Sequence, residues 1–148
     1  MKLELKHLAG YLPYGLKVKW NDVSYYKMIS LRSNESCQLV DRFTDGVYGV
    51  KLTHVKPILH PLSDLTKEIE VNGEKFVPIE RLEELFFDDL LISMSKITGL
   101  LEIEFVTNDY SHSIDFFVGH EIVKKLYEWH LDIHGLIEKG LAIDINTL

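Results

Sequence analysis

The chain contains a single cysteine, Cys37, among its 148 residues, and that scarcity excludes two kinds of site. One cysteine cannot form an internal disulfide, and it cannot supply a cysteine-rich zinc site. A chain without disulfides suits a reducing cytoplasm. The residues around Cys37, "NESCQLV", match no cysteine-enzyme signature, so we do not expect a catalytic thiol.

The sequence also has no long apolar run. Its most apolar stretch, "LFFDDLLISM", contains two aspartates and is far shorter than the roughly 20 residues that a membrane helix needs. The beginning, "MKLELKHLAG", alternates apolar with charged residues and lacks the continuous apolar segment of a signal peptide. We therefore expect a cytoplasmic location and no membrane association.

The common signatures of nucleotide and hydrolase sites are absent as well. No G-x-x-x-x-G-K-[ST], G-x-G-x-x-G or G-x-S-x-G occurs, so phosphate-loop, dinucleotide-binding and hydrolase-elbow functions lack their sequence patterns. We expect no cofactor, and an enzyme is less favoured than a binding protein.

What the chain does have is a globular composition with an uneven distribution of charge. Hydrophobic residues make up 46% and charged residues 26%, which fits one folded domain spanning residues 1–148. Residues 1–60 carry a net charge of +4 and residues 61–148 a net charge of −11. Such asymmetry is typical of proteins that present a charged surface to a partner.

The first half is rich in residues that favour β-strands. The stretches "GLKVKW", "SYYKMISLR", "SCQLVDRF" and "GVYGVKLTHVKPIL" predict an antiparallel meander of three or four strands. Turn-forming pairs separate them, namely Asn21-Asp22, Ser33-Asn34 and Asp45-Gly46.

The second half mixes helical and strand patterns. Asn72-Gly73 predicts a hairpin, and apolar residues spaced by three or four from Pro78 to Gly99 predict one bent helix or two. The alternating "LLEIEFVT" and the following "SIDFFV" predict a second hairpin. The predicted fold is α+β, in which an antiparallel sheet, built from the N-terminal meander and hairpins, packs against two main helices, "PIERLEELF" and "EIVKKLYEWHLDIHGL".

His130 and His134 lie four residues apart, where a helix would place both rings on one side. Such a pair can hold a metal ion, but the zinc-hydrolase motif needs a glutamate after the first histidine, and Leu131 holds that position. Packing of His130 at the core edge, with His134 in a last helical turn before Gly135, is favoured. A metal-dependent hydrolase that uses His130 and His134 is an alternative.

Aromatic and basic residues interleave along the first half. Rings can stack on bases while cations contact phosphates, so the pattern is typical of sheets that bind single-stranded nucleic acid. It is also typical of ordinary sheets, and an isoelectric point near 5.4 opposes nonspecific phosphate binding. The candidate nucleic-acid-binding residues are Lys17, Lys19, Trp20, Tyr25, Tyr26, Lys27 and Arg32.

The ending "GLIEKGLAIDINTL" is more apolar than a frayed terminus. We expect it to dock on the core as a strand or turn, and its alternation from Leu141 to Ile145 suits a sheet edge. A partner interface is the alternative, because exposed apolar segments mark contact sites. The candidate interface residues are Leu136, Ile137, Leu141, Ile143 and Ile145.

Two parts of the chain, "YLPYGLKVKW" with "KPILHPLSDLTKEIEVNGEKFVPIERL" and the ending "YEWHLDIHGLIEKGLAIDINTL", resemble small uncharacterised proteins of tailed phages and prophages of gut bacteria. The resemblance covers both ends and the centre of the chain and implies no known activity. His130 fits that pattern, whereas an apolar or aromatic residue is usual at the position of His134. The resemblance therefore favours packing over a shared metal site.

Taken together, these features predict a phage- or prophage-associated accessory protein that acts by binding a macromolecule, with a protein as the favoured partner. The charge asymmetry and the apolar ending motivate this prediction. Single-stranded nucleic-acid binding and metal-dependent hydrolysis are the alternatives. The residues do not identify the partner, and they leave self-association open.

Overall fold

The computed structural model describes residues 1–22, 24–86, 90–94, 101–105 and 112–148. The chain divides into two compact units, Met1–Pro61 with His134–Leu148 and Leu62–Ile133. The fold class is α+β, as predicted. The single domain expected from the sequence stays a prediction.

Short helices and ten strands alternate along the described parts of the chain. The strands are β1 (Lys17–Trp20), β2 (Ser24–Arg32), β3 (Ser36–Asp41), β4 (Val47–Lys51), β5 (Val55–Leu59), β6 (Ile69–Val71), β7 (Glu74–Phe76), β8 (Leu90–Met94), β9 (Leu101–Phe105) and β10 (Ile143–Asp144). The α-helices are α1 (Leu5–Leu8), α2 (Pro78–Phe86) and α3 (His112–Glu128). Segments of 3-10 helix cover Ala9–Tyr14, Leu52–His54, Leu62–Thr66 and Ile145–Thr147.

The large sheet of the first unit is a meander whose fifth strand returns to its first. The strand order is β10-β5-β1-β2-β3-β4, and the pairings within β1 to β5 are all antiparallel. The predicted meander is thus confirmed, and the 3-10 turn Leu52–His54 divides its last stretch into β4 and β5. Asn21, Asp22 and Asp45 adopt positive φ in the predicted turns, a conformation that short polar residues tolerate.

One face of this sheet builds the core of the first unit. Alternate strand residues point to it, and the 3-10 segment before β1 adds Tyr11, whose side chain is fully buried. The buried apolar residues on this face are Val18, Met28, Cys37, Leu39, Val50, Val55 and Leu59, whereas Ile58 of β5 is buried on the opposite face.

The C-terminal segment docks on this sheet as a strand, as the alternation predicted. Ile143 pairs with Ile58 and Asp144 with Leu59, which adds β10 in parallel at the edge. The Asp144 carboxylate then accepts a hydrogen bond from the Asn146 N–H at 2.9 Å and caps the final 3-10 turn.

The second unit contains the hairpin and the helix start that the sequence predicted. β6 pairs with β7 across Asn72 and Gly73, which both have positive φ, and α2 begins at Pro78. Residues from the 3-10 turn, the hairpin and both helices, together with Trp129 and Leu131, form the core of this unit. Its buried members are Leu65, Ile69, Leu82, Ile122, Leu126, Trp129 and Leu131.

Two predictions for the second unit are wrong. α2 ends at Phe86, and residues 90–94, expected to be helical, form β8. β8 pairs with β9, so the second hairpin joins these two strands, and "SIDFFV" belongs to α3. Short apolar runs fit a buried strand and a buried helix equally well, so periodicity does not separate them. The end of the predicted helix near Gly99 lies outside the described residues.

The predicted course of the last helix is also wrong, because α3 ends at Glu128. His130 has a φ of 56°, and its N–H donates to the Tyr127 carbonyl at 3.0 Å. The Leu131 N–H donates to the Leu126 carbonyl at 2.9 Å. These bonds and the left-handed residue form a Schellman motif, in which the contact between buried Leu131 and Leu126 is the usual apolar component.

Candidate binding surface

The face of the large sheet opposite its core is rich in basic side chains. Because strand residues alternate between faces, the neighbours of buried residues such as Val18 and Val50 project from this other face. Six of the projecting side chains are basic, and each is exposed or half-buried. We call this surface the cationic face, and its basic residues are Lys17, Lys19, Lys27, Arg32, Lys51 and Lys56.

Two pairs of lysines on the cationic face lie directly opposite each other on neighbouring strands. Lys17 on β1 faces Lys27 on β2, and Lys19 on β1 faces Lys56 on β5. Residues in such positions have Cβ atoms about 5 Å apart, and like charges there repel each other. The repulsion within each lysine pair therefore destabilises the pairing of the two strands on which the lysines lie.

Little negative charge balances these lysines. The Lys19 Nζ lies 3.4 Å from a carboxylate oxygen of Asp22, but the Asp22 side chain is 96% exposed, so water screens this ion pair. Among the described residues of β1 to β5, none places an aspartate or glutamate on the cationic face. This side of the sheet is therefore locally positive, although the chain as a whole carries a net charge of −7.

A recess of about 380 Å³ opens beside the pair of Lys17 and Lys27. Tyr25 and Arg42 contribute to its lining, and Asp41 and Asp45 add two carboxylates. The Lys27 side chain lies over Gly15, where a Cβ atom would come within 2.9 Å of the Lys27 Cε. Gly15 also has a φ of 70°, so glycine is required both for the backbone turn and for the position of this lysine.

A larger recess, about 690 Å³, opens beside the pair of Lys19 and Lys56. His54 adds a third basic group to its lining, and Asp22 adds a carboxylate. Each like-charge pair thus borders a concave surface whose volume lies within the range of ligand-binding clefts. Acidic side chains of a ligand could enter either recess and reach a lysine pair.

The aromatic residues of the first half lie mostly on the opposite face of the sheet. Trp20, Tyr26 and Tyr48 form a cluster with ring centroids 5.2 to 5.9 Å apart. Tyr26 pairs with the buried Val18 and therefore shares its face, whereas Tyr25 pairs with Lys19 on the cationic face. The seven predicted nucleic-acid-binding residues are thus divided between two faces: five lie on the cationic face, and Trp20 and Tyr26 do not.

Lys51 and Lys56 are not among the candidate residues predicted from the sequence. Each follows a buried valine in its strand, Val50 and Val55 respectively, so the alternation alone places both lysines on an exposed face. What the sequence does not show is the register of β5 against β1, which brings Lys56 opposite Lys19.

The two histidines of the candidate metal site do not share a helix. His130 is the left-handed residue that follows α3, and His134 lies in a later turn. The His134 ring packs against His7, with centroids 5.6 Å apart, and against Tyr11 at 6.5 Å. In the parts of the chain that the structure describes, no group of three or more histidine, cysteine, aspartate or glutamate side chains could hold a metal ion. The metal-dependent hydrolase stays a prediction.

His7 is a buried titratable residue that sequence reasoning missed. Its side chain is 5% exposed, and its Nδ1 accepts a hydrogen bond from the Glu4 N–H at 3.1 Å. Burial lowers the pKa of His7 below its ordinary value, Glu4 opposes this shift, and the charges of Lys6 and Lys139 add to it. The neutral imidazole caps α1, which is a structural role.

The candidate interface residues of the C-terminal segment are not equally accessible. Leu136 is fully buried, whereas Ile137, Leu141, Ile143 and Ile145 are half-buried. Docking of β10 against β5 accounts for part of this burial. A partner interface at these positions stays a prediction.

The Cys37 thiol is buried in the core, and burial raises its pKa to about 11. A thiol in this state is a poor nucleophile, because the thiolate is the reactive form. Among the described residues, no helix is both long enough and apolar enough to cross a membrane.

Comparisons with known proteins found no relative. No protein-family model, no curated protein and no solved structure matches the chain. The resemblance to phage and prophage proteins therefore stays a prediction, and the function is argued from the cationic face itself.

Proposed function

We propose that this protein is a non-catalytic binding protein whose cationic face recognises an acidic surface on a partner protein. The observation that carries the proposal is the presence of two directly opposed lysine pairs, Lys17 with Lys27 and Lys19 with Lys56. Like charges in these positions weaken a sheet. Residue pairs that destabilise the fold are expected at functional sites, where binding of a partner compensates for the lost stability.

A bound carboxylate would reverse the electrostatics of each pair. Two lysines that repel each other in the free protein would both attract a negative charge placed between them. The recesses beside the pairs offer concave surfaces for acidic side chains. The described residues of β1 to β5 place no carboxylate on the cationic face itself, so a partner competes mainly with the aspartates that border the recesses, Asp22, Asp41 and Asp45.

The distribution of aromatic rings favours a protein partner over single-stranded nucleic acid. A stacking platform needs several rings on the surface that carries the cations. Only Tyr25 meets this condition among the candidate residues, because Trp20 and Tyr26 lie on the other face and pack with Tyr48.

The setting that we propose for this function is the cytoplasm of a bacterium that carries a phage or prophage. The single buried thiol is compatible with a reducing compartment. The phage association rests on the sequence resemblance alone.

The proposal is tested by fluorescence anisotropy with two labelled polyanions. One is an oligoglutamate peptide, and the other is an oligothymidylate that carries the same number of negative charges. The protein should bind the peptide at low salt, lose affinity as salt is added, and bind the oligothymidylate no more tightly. Each exposed ion pair contributes up to about 1 kcal/mol, so the double variant Lys17→Glu and Lys27→Glu should weaken peptide binding by roughly 10- to 100-fold.

A matched control separates the cationic face from the total charge. The variant Lys75→Glu and Lys124→Glu changes the net charge equally at two exposed positions of the second unit. It should bind the peptide nearly as well as the unmodified protein. Equal loss in both variants would contradict the proposal, and tighter, more salt-sensitive binding of oligothymidylate would support the nucleic-acid alternative instead.

A further inference from the structure

β4 is an edge strand of the large sheet, and no strand among the described residues pairs with its outer side. It is last in the strand order of the large sheet, and β3 is its neighbour in that order. Its side chains are well exposed, with Val47 at 56% and Tyr48 at 39%.

The register of β4 shows which backbone groups face this outer side. The Asp41 N–H donates to the Gly46 carbonyl at 2.8 Å, and the Leu52 N–H donates to the Glu35 carbonyl at 2.9 Å. Both pairs continue the register in which Leu39 faces Tyr48 and Cys37 faces Val50. In an antiparallel ladder, every second residue bonds to the partner strand. The N–H and C=O groups of the intervening residues, Val47, Gly49 and Lys51, therefore point away from β3.

The same three residues also share the cationic face. Lys51 projects from the edge strand itself, and Arg32 lies in the same row two strands further into the sheet. Tyr48, on the opposite face, presents a half-exposed ring. A strand added to this edge would thus place alternate side chains near Lys51 and near an aromatic ring.

We infer that β4 is the docking edge for an extended acidic segment of the partner protein, which adds to the sheet by strand pairing. This inference rests on the proposed function and specifies how the partner is held. Backbone hydrogen bonds to the groups of Val47, Gly49 and Lys51 supply affinity, and alternate side chains supply selectivity. The segment that fits best has an acidic residue opposite Lys51, with neighbouring apolar residues on the face of Tyr48.

Charge favours such a segment over a second copy of this chain. Antiparallel pairing of two β4 strands about a two-fold axis would place both cationic faces on the same side of one continuous sheet. Each copy would then extend the cationic face of the other, and the like charges of the two faces would repel. An acidic strand meets attraction at the same positions.

The inference is tested with a labelled peptide of alternating glutamate and valine. Two further versions carry backbone N-methyl groups, one on every glutamate and the other on every valine. In an added strand, the N–H groups of every second residue face the neighbouring strand. Either the glutamate or the valine N–H groups of the peptide therefore bond to β4, but not both. The two methylated peptides should differ in affinity by at least about 10-fold, and the unmethylated peptide should match the tighter one.

Two measurements on the protein accompany the peptide series. Peptide binding should slow amide hydrogen exchange at Val47, Gly49 and Lys51, whose N–H groups face the outer side of β4. The variant Val47→Pro removes one outward N–H at the first position of the strand, where proline is tolerated, and should weaken peptide binding. Val47→Ala is its matched control, because it shortens the same side chain and keeps the N–H. Protection of the Tyr48 and Val50 amides in Val47→Pro would show that the pairing of β3 with β4 is intact.

The outcomes separate this inference from the proposed function. If the three peptides bind equally and the three outward amides stay unprotected, strand addition is overturned. The proposed function then still stands, provided that Lys17→Glu with Lys27→Glu weakens binding. If the outward amides become protected as the protein concentration rises without peptide, the occupant is a second copy and the inference is again overturned.

Discussion

Replacing Lys17 by glutamate should stabilise the folded protein, although the change removes a basic residue from the cationic face. Lys17 is exposed and lies directly opposite Lys27 on the neighbouring strand. The substitution converts a repulsive cross-strand pair into an attractive one. Because Lys27 is the residue that lies over Gly15, changing Lys17 instead leaves that contact in place.

The expected gain follows from the energies of cross-strand pairs. Opposite charges that face each other across a ladder contribute roughly 0.2–1 kcal/mol, and like charges are destabilising. Removing the repulsion and adding the attraction should therefore raise the free energy of unfolding by about 0.5–1.5 kcal/mol. For a chain of 148 residues, a change of about 1 kcal/mol corresponds to a rise of roughly 2–4 °C in Tm.

Two comparison variants make the prediction specific to the register. Lys56→Glu should give a smaller gain, because its partner Lys19 already has the Asp22 carboxylate at 3.4 Å. Lys75→Glu should have the opposite sign, because Lys75 faces Glu70 across β6 and β7, and the change creates a like-charge pair. Since all three variants alter the net charge equally, the total charge does not explain a difference between them.

The assay is urea unfolding of the four proteins at about 10 mM and about 1 M salt, where the screening length falls from roughly 30 Å to 3 Å. The differences should be largest at low salt and should nearly vanish at high salt. A loss of stability in Lys17→Glu at low salt would refute the reasoning, and so would a gain that persists at high salt. A variant that is more stable but binds the acidic peptide less tightly would show that the lysine pairs lower the free energy of unfolding and strengthen peptide binding.

Stability should fall as the pH drops below about 6.5, because burial lowers the pKa of His7, and the unfolded chain then binds the proton more readily. The stability that neutral His7 contributes is complete above the pKa of this residue in the unfolded chain. It is lost as the pH falls through the pKa of His7 in the folded protein. His7→Asn, which keeps an acceptor near the Glu4 N–H, should flatten the fall in urea titrations across this range. At the end of α3, His130→Val should lose about 1 kcal/mol more stability than His130→Asn, because asparagine tolerates positive φ and a β-branched residue does not. The Cys37 thiol, with a pKa of about 11, is ionised in about one molecule per thousand near pH 8, so alkylation by iodoacetamide should require unfolding, and rapid labelling of the folded protein would contradict its burial.

The strands of the first unit could be predicted because their sequence pattern has a local cause. Residues that suit a half-buried pleated surface alternate along β1 to β3, and residues that tolerate positive φ lie between them. The hairpin at Asn72 and Gly73 was predictable for the same reason. In each case the turn residues and the alternation indicate the same structure, so the prediction does not depend on distant contacts.

The errors lie where short apolar runs have no such support. "LLISM" was assigned to a helix and "SIDFFV" to a strand, but the structure reverses both assignments. Each run is about as long as one buried strand or as one and a half helical turns, so the choice depends on tertiary packing. The end of α3 was misplaced for another reason. Gly135 was the expected stop, but the left-handed position is held by His130, a residue type that adopts this conformation much less often than glycine.

The candidate site could be predicted in composition but not in geometry. Lys17, Lys19 and Lys27 were named as candidates because basic and aromatic residues interleave, and the register of β1 with β2 places all three on one face. Nothing local indicates that β5 returns to β1, so Lys56 could not be connected with Lys19. The aromatic residues misled for a related reason. Tyr25 and Tyr26 are adjacent in sequence, yet in a strand adjacent side chains point to opposite faces.

The packed aromatic rings lie on one face of the large sheet and the basic side chains lie on the other, so a ligand that uses both must reach both faces. Trp20, Tyr26 and Tyr48 pack with one another on the face opposite the cationic face. Tyr48 lies on β4, an edge strand of the sheet, and its side chain is partly exposed. An extended segment that pairs with β4 is therefore the kind of ligand that can reach both surfaces at once. A compact acidic domain docked on the cationic face would contact the lysines but not Tyr48.

Replacement of Tyr48 by serine should consequently weaken binding of the alternating glutamate and valine peptide while it leaves binding of oligoglutamate nearly unchanged. Equal effects on the two peptides, measured by anisotropy, would mean that the two faces do not act on one ligand.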